Sequence, residues 1–127
     1  MKKENFDNEL TGKIIGCAMK VHSALGPGLL ESSYEECLKY ELESNTISVR
    51  RQAPLPLVYN GIHLNAGYRV DLLIEKKIIV EIKSVEVLHD IHVAQLLTYL
   101  KLSGCRIGLL VNFNVIRLKD GIRRYVI

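Results

Sequence analysis

The sequence predicts an α/β fold of the α+β kind, a mixed β-sheet flanked by helices. Three observations lead there. Apolar residues recur at helical spacing in residues 10–25, 29–43 and 89–103. Aliphatic and β-branched runs lie between and after those segments, giving the order α-α-β-β-β-β-α-β-β. Third, the hairpin "YRVDLLIEKKIIVEIKS" is apolar on both of its faces, so it needs cover on both sides. In 127 residues, 48% hydrophobic and 24% charged, this amounts to one domain over residues 1–127 with a core of ordinary size.

In the first helix Leu10, Ile14, Ile15, Ala18, Val21 and Leu25 form the apolar stripe. "LGPGL" stops it, because Gly26 accepts a left-handed cap and Pro27 cannot prolong a helix. The second helix turns Leu30, Tyr34, Cys37, Leu38 and Leu42 inward. "SVRRQAPLPLVYN" reads as one strand, placed at a sheet edge because Pro54 and Pro56 have no N–H to donate. Asn60-Gly61 is a two-residue hairpin turn leading into a short strand at 62–65. The third helix carries Val93, Leu96, Leu97 and Leu100 and ends at Gly104. "RIGLLVNF" is a buried strand and "GIRRYVI" the last one.

The central hairpin raises the functional question. With a turn at Glu75-Lys76-Lys77, Val70 faces Ile82, Leu72 faces Val80 and Ile74 faces Ile78, a wholly aliphatic face. On the other face Asp71 opposes Glu81, Leu73 opposes Ile79 and Arg69 opposes Lys83. A slip of one residue would mix the two sets, so the hydrophobic pattern favours this register. Two carboxylates directly opposed have β-carbons about 5 Å apart, and one of them holds its proton to higher pH. With Lys83 beside them, two hard oxygen donors and an ammonium suit a divalent cation and a phosphate oxygen. The alternative is a solvated sheet face. Leu73, Ile79 and Val85 on that same face favour cover, and covered charges need partners.

Composition narrows the classes. No apolar run is long enough to span a bilayer, and "MKKENFDNEL" has no apolar core for a secretory leader, so a cytoplasmic protein is expected. Cys17, Cys37 and Cys105 are odd in number and lack CxxC spacing, which points to free thiols rather than a disulfide framework or zinc site. The net charge of +3 is carried by the C-terminal end, where Arg117, Lys119, Arg123 and Arg124 face only Asp120. That end suits either phosphates or plain solvent.

Asp71 followed across a hairpin by Glu81-Ile82-Lys83 resembles the core motif of the PD-(D/E)XK nuclease superfamily. "GLLESSY" (Gly28, Glu31, Tyr34) is similar to the signature of the GxxExxY protein family, a bacterial and archaeal branch of it. "QLLTY" places Gln95 and Tyr99 one turn apart and resembles the QxxxY motif of RecB-like nucleases, where the pair lies beside the active site. Val70 stands where the "PD" motif has proline. The resemblance implies a restriction-endonuclease-like αβββαβ core acting as a Mg²⁺- or Mn²⁺-dependent DNA nuclease. It implies Asp71 and Glu81 as metal ligands, the Ile82 carbonyl as a further one, and Lys83 as the group that activates water or stabilises the phosphorane. Glu31 matches an acidic ligand supplied by a helix, or else is a first-turn glutamate favoured by the helix dipole. His22 matches a metal-ligating histidine of some RecB-like nucleases, or else is a capping or core residue. His89 and His92 read as structural or surface residues. Two rival readings stand beside the nuclease: a junction-resolving endonuclease working as a homodimer, and a non-catalytic nucleic-acid-binding or partner-docking domain on the same scaffold.

Overall fold

The computed structural model describes the backbone of residues 3–127 and the side chains of residues 7–127. Residues 1–2, which open the segment expected to lack a secretory core, lie outside the described residues. Helix α1 spans Lys3–Leu25 and α2 spans Glu31–Ser44. α1 starts well before its apolar stripe. Within it Thr11 Oγ1 donates to the Asp7 carbonyl at 2.8 Å, and the Asp7 carboxylate lies 3.7 Å from Lys77 Nζ in the central hairpin. At the other end Gly26 takes φ +71° and returns its N–H to the His22 carbonyl at 2.7 Å, the cap expected of it.

The strands are β1 Val49–Pro54, β2 Leu57–Tyr59, β3 Ile62–Leu64, β4 Arg69–Ile74 and β5 Ile78–Lys83. After them come α3 Asp90–Ser103, β6 Ile107–Asn112, a 3-10 turn at Leu118–Gly121 and β7 Ile122–Val126. The order in the main sheet is β1-β4-β5-β6-β7, with β5 and β6 parallel across α3 and the other pairs antiparallel. The single strand expected over residues 48–60 divides in two. β1 is the sheet edge, as its prolines suggested. The chain then leaves the sheet, and β2 pairs with β3 in a separate ribbon. Pro54 and Pro56 supply no N–H to continue the ladder, whereas Asn60 and Gly61, at φ +49° and +76°, close a tight hairpin of their own.

Helices α1 and α2 cover one face of the sheet, where Ile14, Tyr34, Leu38, Leu72, Ile74, Val80, Ile82 and Phe113 make the larger core. α3 covers the other face with Leu96, Tyr99 and Leu100 against Ile79 and Leu110. The aliphatic face expected of β4 does not run its whole length. Leu72 and Ile74 pack under α1 and α2, yet Val70 packs on the α3 side. Edge strand β1 changes sides at the same level, with Val49 on the α1–α2 core and Ala53 on the α3 core. The pairs Arg51↔Leu72 and Ala53↔Val70 flank the step, so Gln52 stands across from Asp71 where both strands exchange faces. Gln52 is in the left-handed region there, at φ +52°.

Candidate active site

The β4–β5 ladder pairs Ile74 with Ile78, Leu73 with Ile79 and Leu72 with Val80, the register the hydrophobic pattern required. There the ladder ends. The pairing expected beyond it, Asp71 with Glu81, Val70 with Ile82 and Arg69 with Lys83, is replaced by side chains. The Asp71 N–H donates to Glu81 Oε2 at 2.7 Å, and the Ile82 N–H donates to Asp71 Oδ2 at 2.8 Å. Each carboxylate crosses the gap to the backbone of the other strand. Two opposed anions would repel; by this exchange each gains a charge-assisted bond, and two amides that lost their ladder partners are satisfied.

Burial sets the electrostatics of the pair. Glu81 is 4% exposed. Its carboxyl is pushed up to about 8, first by burial and next by the charge of Asp71, against the Asp71 amide and Lys83. Asp71 is raised as well, again mainly by burial, with the Ile82 amide, Lys83 and Gln52 opposing. The pair therefore retains a proton well above the ordinary carboxylate range.

A third acid joins them. Glu35, 5% exposed on α2, accepts from Arg51 Nε at 3.2 Å and from Gln52 Nε2 at 2.7 Å. The same Gln52 nitrogen reaches Asp71 Oδ1 at 3.3 Å. The charge of Glu35 adds to the upward push on both Asp71 and Glu81. Sequence reasoning passed over Glu35, although the signal was present: Glu35, Leu38 and Leu42 follow the i, i+3, i+7 spacing, so this carboxylate sits on the buried stripe of its helix.

Lys83 ends β5, half-buried, and its charge acts on Asp71 and Glu81 and on His92. Among the described residues no carboxylate closes a salt bridge on it. The chain just beyond it is clamped. Ser84 N–H donates to Glu31 Oε2 at 3.0 Å, and Ser84 Oγ donates to the Leu29 carbonyl at 2.7 Å. Buried Asn112 donates to the Val85 carbonyl at 2.9 Å and accepts the Val85 N–H at 3.1 Å. Tyr34, fully buried, stacks on Phe113 with centroids 4.3 Å apart; its hydroxyl donates to the Gly26 carbonyl at 2.6 Å and accepts the Leu29 N–H at 3.1 Å. In "GLLESSY", then, Tyr34 pins the α1–α2 loop to α2, while Glu31 and the Leu29 carbonyl tie it to Ser84, next to Lys83.

The remaining expected residues lie at different distances from this centre. Tyr99 is buried, and its hydroxyl is raised by burial first and then by the charges of Glu81 and Asp71, so it shares their field. Gln95 is exposed on the outer flank of α3; with Tyr68 and Tyr99 it lines an open cavity of about 280 Å³. His22 places Nε2 against the Val115 carbonyl at 2.8 Å and tilts its ring against Phe113. His92 Nδ1 accepts the His89 N–H at 3.1 Å at the start of α3.

The donors fit a hard cation. Beyond the backbone bonds, Asp71 Oδ1 has only the long contact from Gln52, and two neighbouring carboxyls that burial and mutual repulsion keep from both ionising would be relieved by a cation. Among the described residues no three His, Cys, Asp or Glu side chains gather into a metal-holding group, so Glu31 and His22 are not assembled with the pair. A cation here would rest on two carboxylates and water, the mode Mg²⁺ favours. Among the described residues no helix is long and apolar enough to cross a membrane.

The sequence model of the PD-(D/E)XK nuclease superfamily matches residues 8–125. No curated protein and no solved structure gives a significant match.

Proposed function

Because the chain belongs to the PD-(D/E)XK nuclease superfamily, we propose that it is a Mg²⁺- or Mn²⁺-dependent nuclease, of RecB-like type, that hydrolyses phosphodiester bonds in DNA. The observation that carries the reading is the open end of the β4–β5 hairpin, where the buried carboxylate of Glu81, the half-buried one of Asp71 and an ammonium without a salt bridge meet. Asp71 and Glu81 would hold the cation. Ile82 sends its N–H into the gap, and a strand residue's N–H and C=O leave on the same edge, so its carbonyl is the natural third oxygen. When bound, the cation supplies an activated water and charge for the scissile phosphate.

The chain's own groups do the rest. Lys83, free of a salt bridge and held by the clamp on Ser84 and Val85, places positive charge where the pentavalent phosphorus develops negative charge. Glu81, pushed up to about 8 by burial and by Asp71, would give up its proton to serve as a ligand. Tyr99, which shares the field of the two carboxylates, and Gln95, which lines the same open cavity as Tyr99 on α3, would orient the strand that carries the phosphate.

The test is cleavage of labelled single-stranded, duplex and branched DNA with Mg²⁺ or Mn²⁺, wild type against Glu81→Ala. Metal-dependent cutting by wild type, reduced at least about 100-fold in the variant, is expected. No cutting of any substrate, together with no Mn²⁺ binding by calorimetry, would leave the non-catalytic scaffold as the reading.

A further inference from the structure

Edge strand β1 contains an unusual residue. Gln52 is a non-glycine in the left-handed region, φ +52°, between two residues that pair regularly with β4. Only Gly, and more rarely Asn or Asp, adopts this conformation readily. A step needed merely to move the strand from one face of the sheet to the other would be better served by glycine. A glutamine there implies that its side chain is wanted.

The contacts of that side chain say for what. Nε2 lies 2.7 Å from Glu35 Oε1 and 3.3 Å from Asp71 Oδ1, so one amide nitrogen bridges two acids from different elements. Asp71 is thereby held at both oxygens, by the Ile82 N–H on Oδ2 and by Gln52 on Oδ1, and its carboxylate plane is fixed. Arg69 Nη1 donates to the Gln52 carbonyl at 3.1 Å, which secures the turned peptide itself. Backbone strain held in place beside reactive groups is the pattern of a functional position.

We infer that Gln52 is a positioning residue: its strained backbone aims the carboxamide so that Asp71, braced through it against Glu35, is held in one fixed orientation for a divalent cation. The inference rests on the proposed metal-dependent activity but concerns the geometry of the donors, so the two can fail separately. Groups that orient metal ligands in this way typically change metal affinity or activity 10- to 100-fold when removed, which is about the effect expected here.

The experiment compares wild type with Gln52→Gly and Gln52→Asn. Melting temperatures are measured in chelator, Mn²⁺ affinity by calorimetry, and kcat and KM on DNA. Glycine relieves the positive φ, and asparagine tolerates it but is one methylene too short to bridge. Both variants are expected to melt at or above wild type, to bind Mn²⁺ about 10- to 100-fold more weakly, and to lose kcat with KM little changed. Wild-type Mn²⁺ affinity in both variants would overturn the inference while leaving the nuclease reading intact. Weaker Mn²⁺ binding that appears only together with a lowered melting temperature in both would also overturn it, making Gln52 a structural residue. If wild type cuts nothing but Mn²⁺ binding falls in the variants, the nuclease reading fails and the positioning role stands. If wild type binds no Mn²⁺, both fall.

Discussion

Glu81→Gln is the perturbation that most directly tests the electrostatics of the open hairpin. The glutamine is isosteric, its carbonyl can accept the Asp71 N–H, and its NH₂ can face the Asp71 carboxylate. In wild type the folded-state pKa of Glu81, about 8, lies above its ordinary 4.5. Between those values the folded protein binds more protons than the unfolded chain, so stability is full below 4.5 and falls as pH rises towards 8. At about 1.36 kcal/mol per pH unit, the whole interval corresponds to no more than about 5 kcal/mol. Repulsion by Asp71 is shared between the two acids, so about 2–4 kcal/mol is expected from Glu81 alone at pH 9. At about 3–5 °C per kcal/mol for a chain of this size, Glu81→Gln should melt about 10 °C above wild type at pH 9 in chelator. The two should coincide within a few degrees near pH 4.5. Thermal melts by circular dichroism across pH 4.5–9 read this out, alongside cleavage assays in which the stabilised variant should be inactive. A wild-type melting temperature that is flat or rising between pH 5 and 8.5, or a variant no more stable at pH 9, would refute the burial argument.

Other perturbations separate chemistry from scaffold. Lys83→Met should lower kcat about 100- to 1,000-fold with a melting temperature close to wild type, measured on the same DNA substrates. Asn112→Ala removes both partners of Val85 and should cost about 1–3 kcal/mol by urea denaturation, with activity falling as the end of β5 loosens. Gly121→Ala would press a methyl group into the Asn112 carbonyl and the Val115 side chain; about 1–3 kcal/mol of destabilisation is expected, read from the same urea titrations.

What the sequence determined by itself was whatever depends on local spacing. The three helices, the turn at Asn60-Gly61 and the register of the β4–β5 hairpin all follow from periodicity and turn chemistry, which neighbouring residues impose on one another. The same pattern placed Asp71, Glu81 and Lys83 mid-hairpin, and the family motif adds meaning to them. Tertiary structure decided the rest, because it depends on residues far apart in the chain. Alternation could not foresee that β4 would swap faces at Asp71, a step matched on β1, where Gln52 turns left-handed. Nor could it foresee that the ladder would end at Leu72 and Val80, with carboxylates taking over as acceptors for the backbone. Glu35 was visible as a carboxylate on an apolar stripe, but only the packing of α2 against β1 and β4 gives it Arg51 and Gln52 as partners. For Glu31 the motif suggested a ligand, and only the fold shows that its carboxylate accepts the Ser84 N–H 53 positions away. The spacing of residues along the chain selected which charges would be buried; where each found its hydrogen bonds was settled by which strands and helices came to lie beside it.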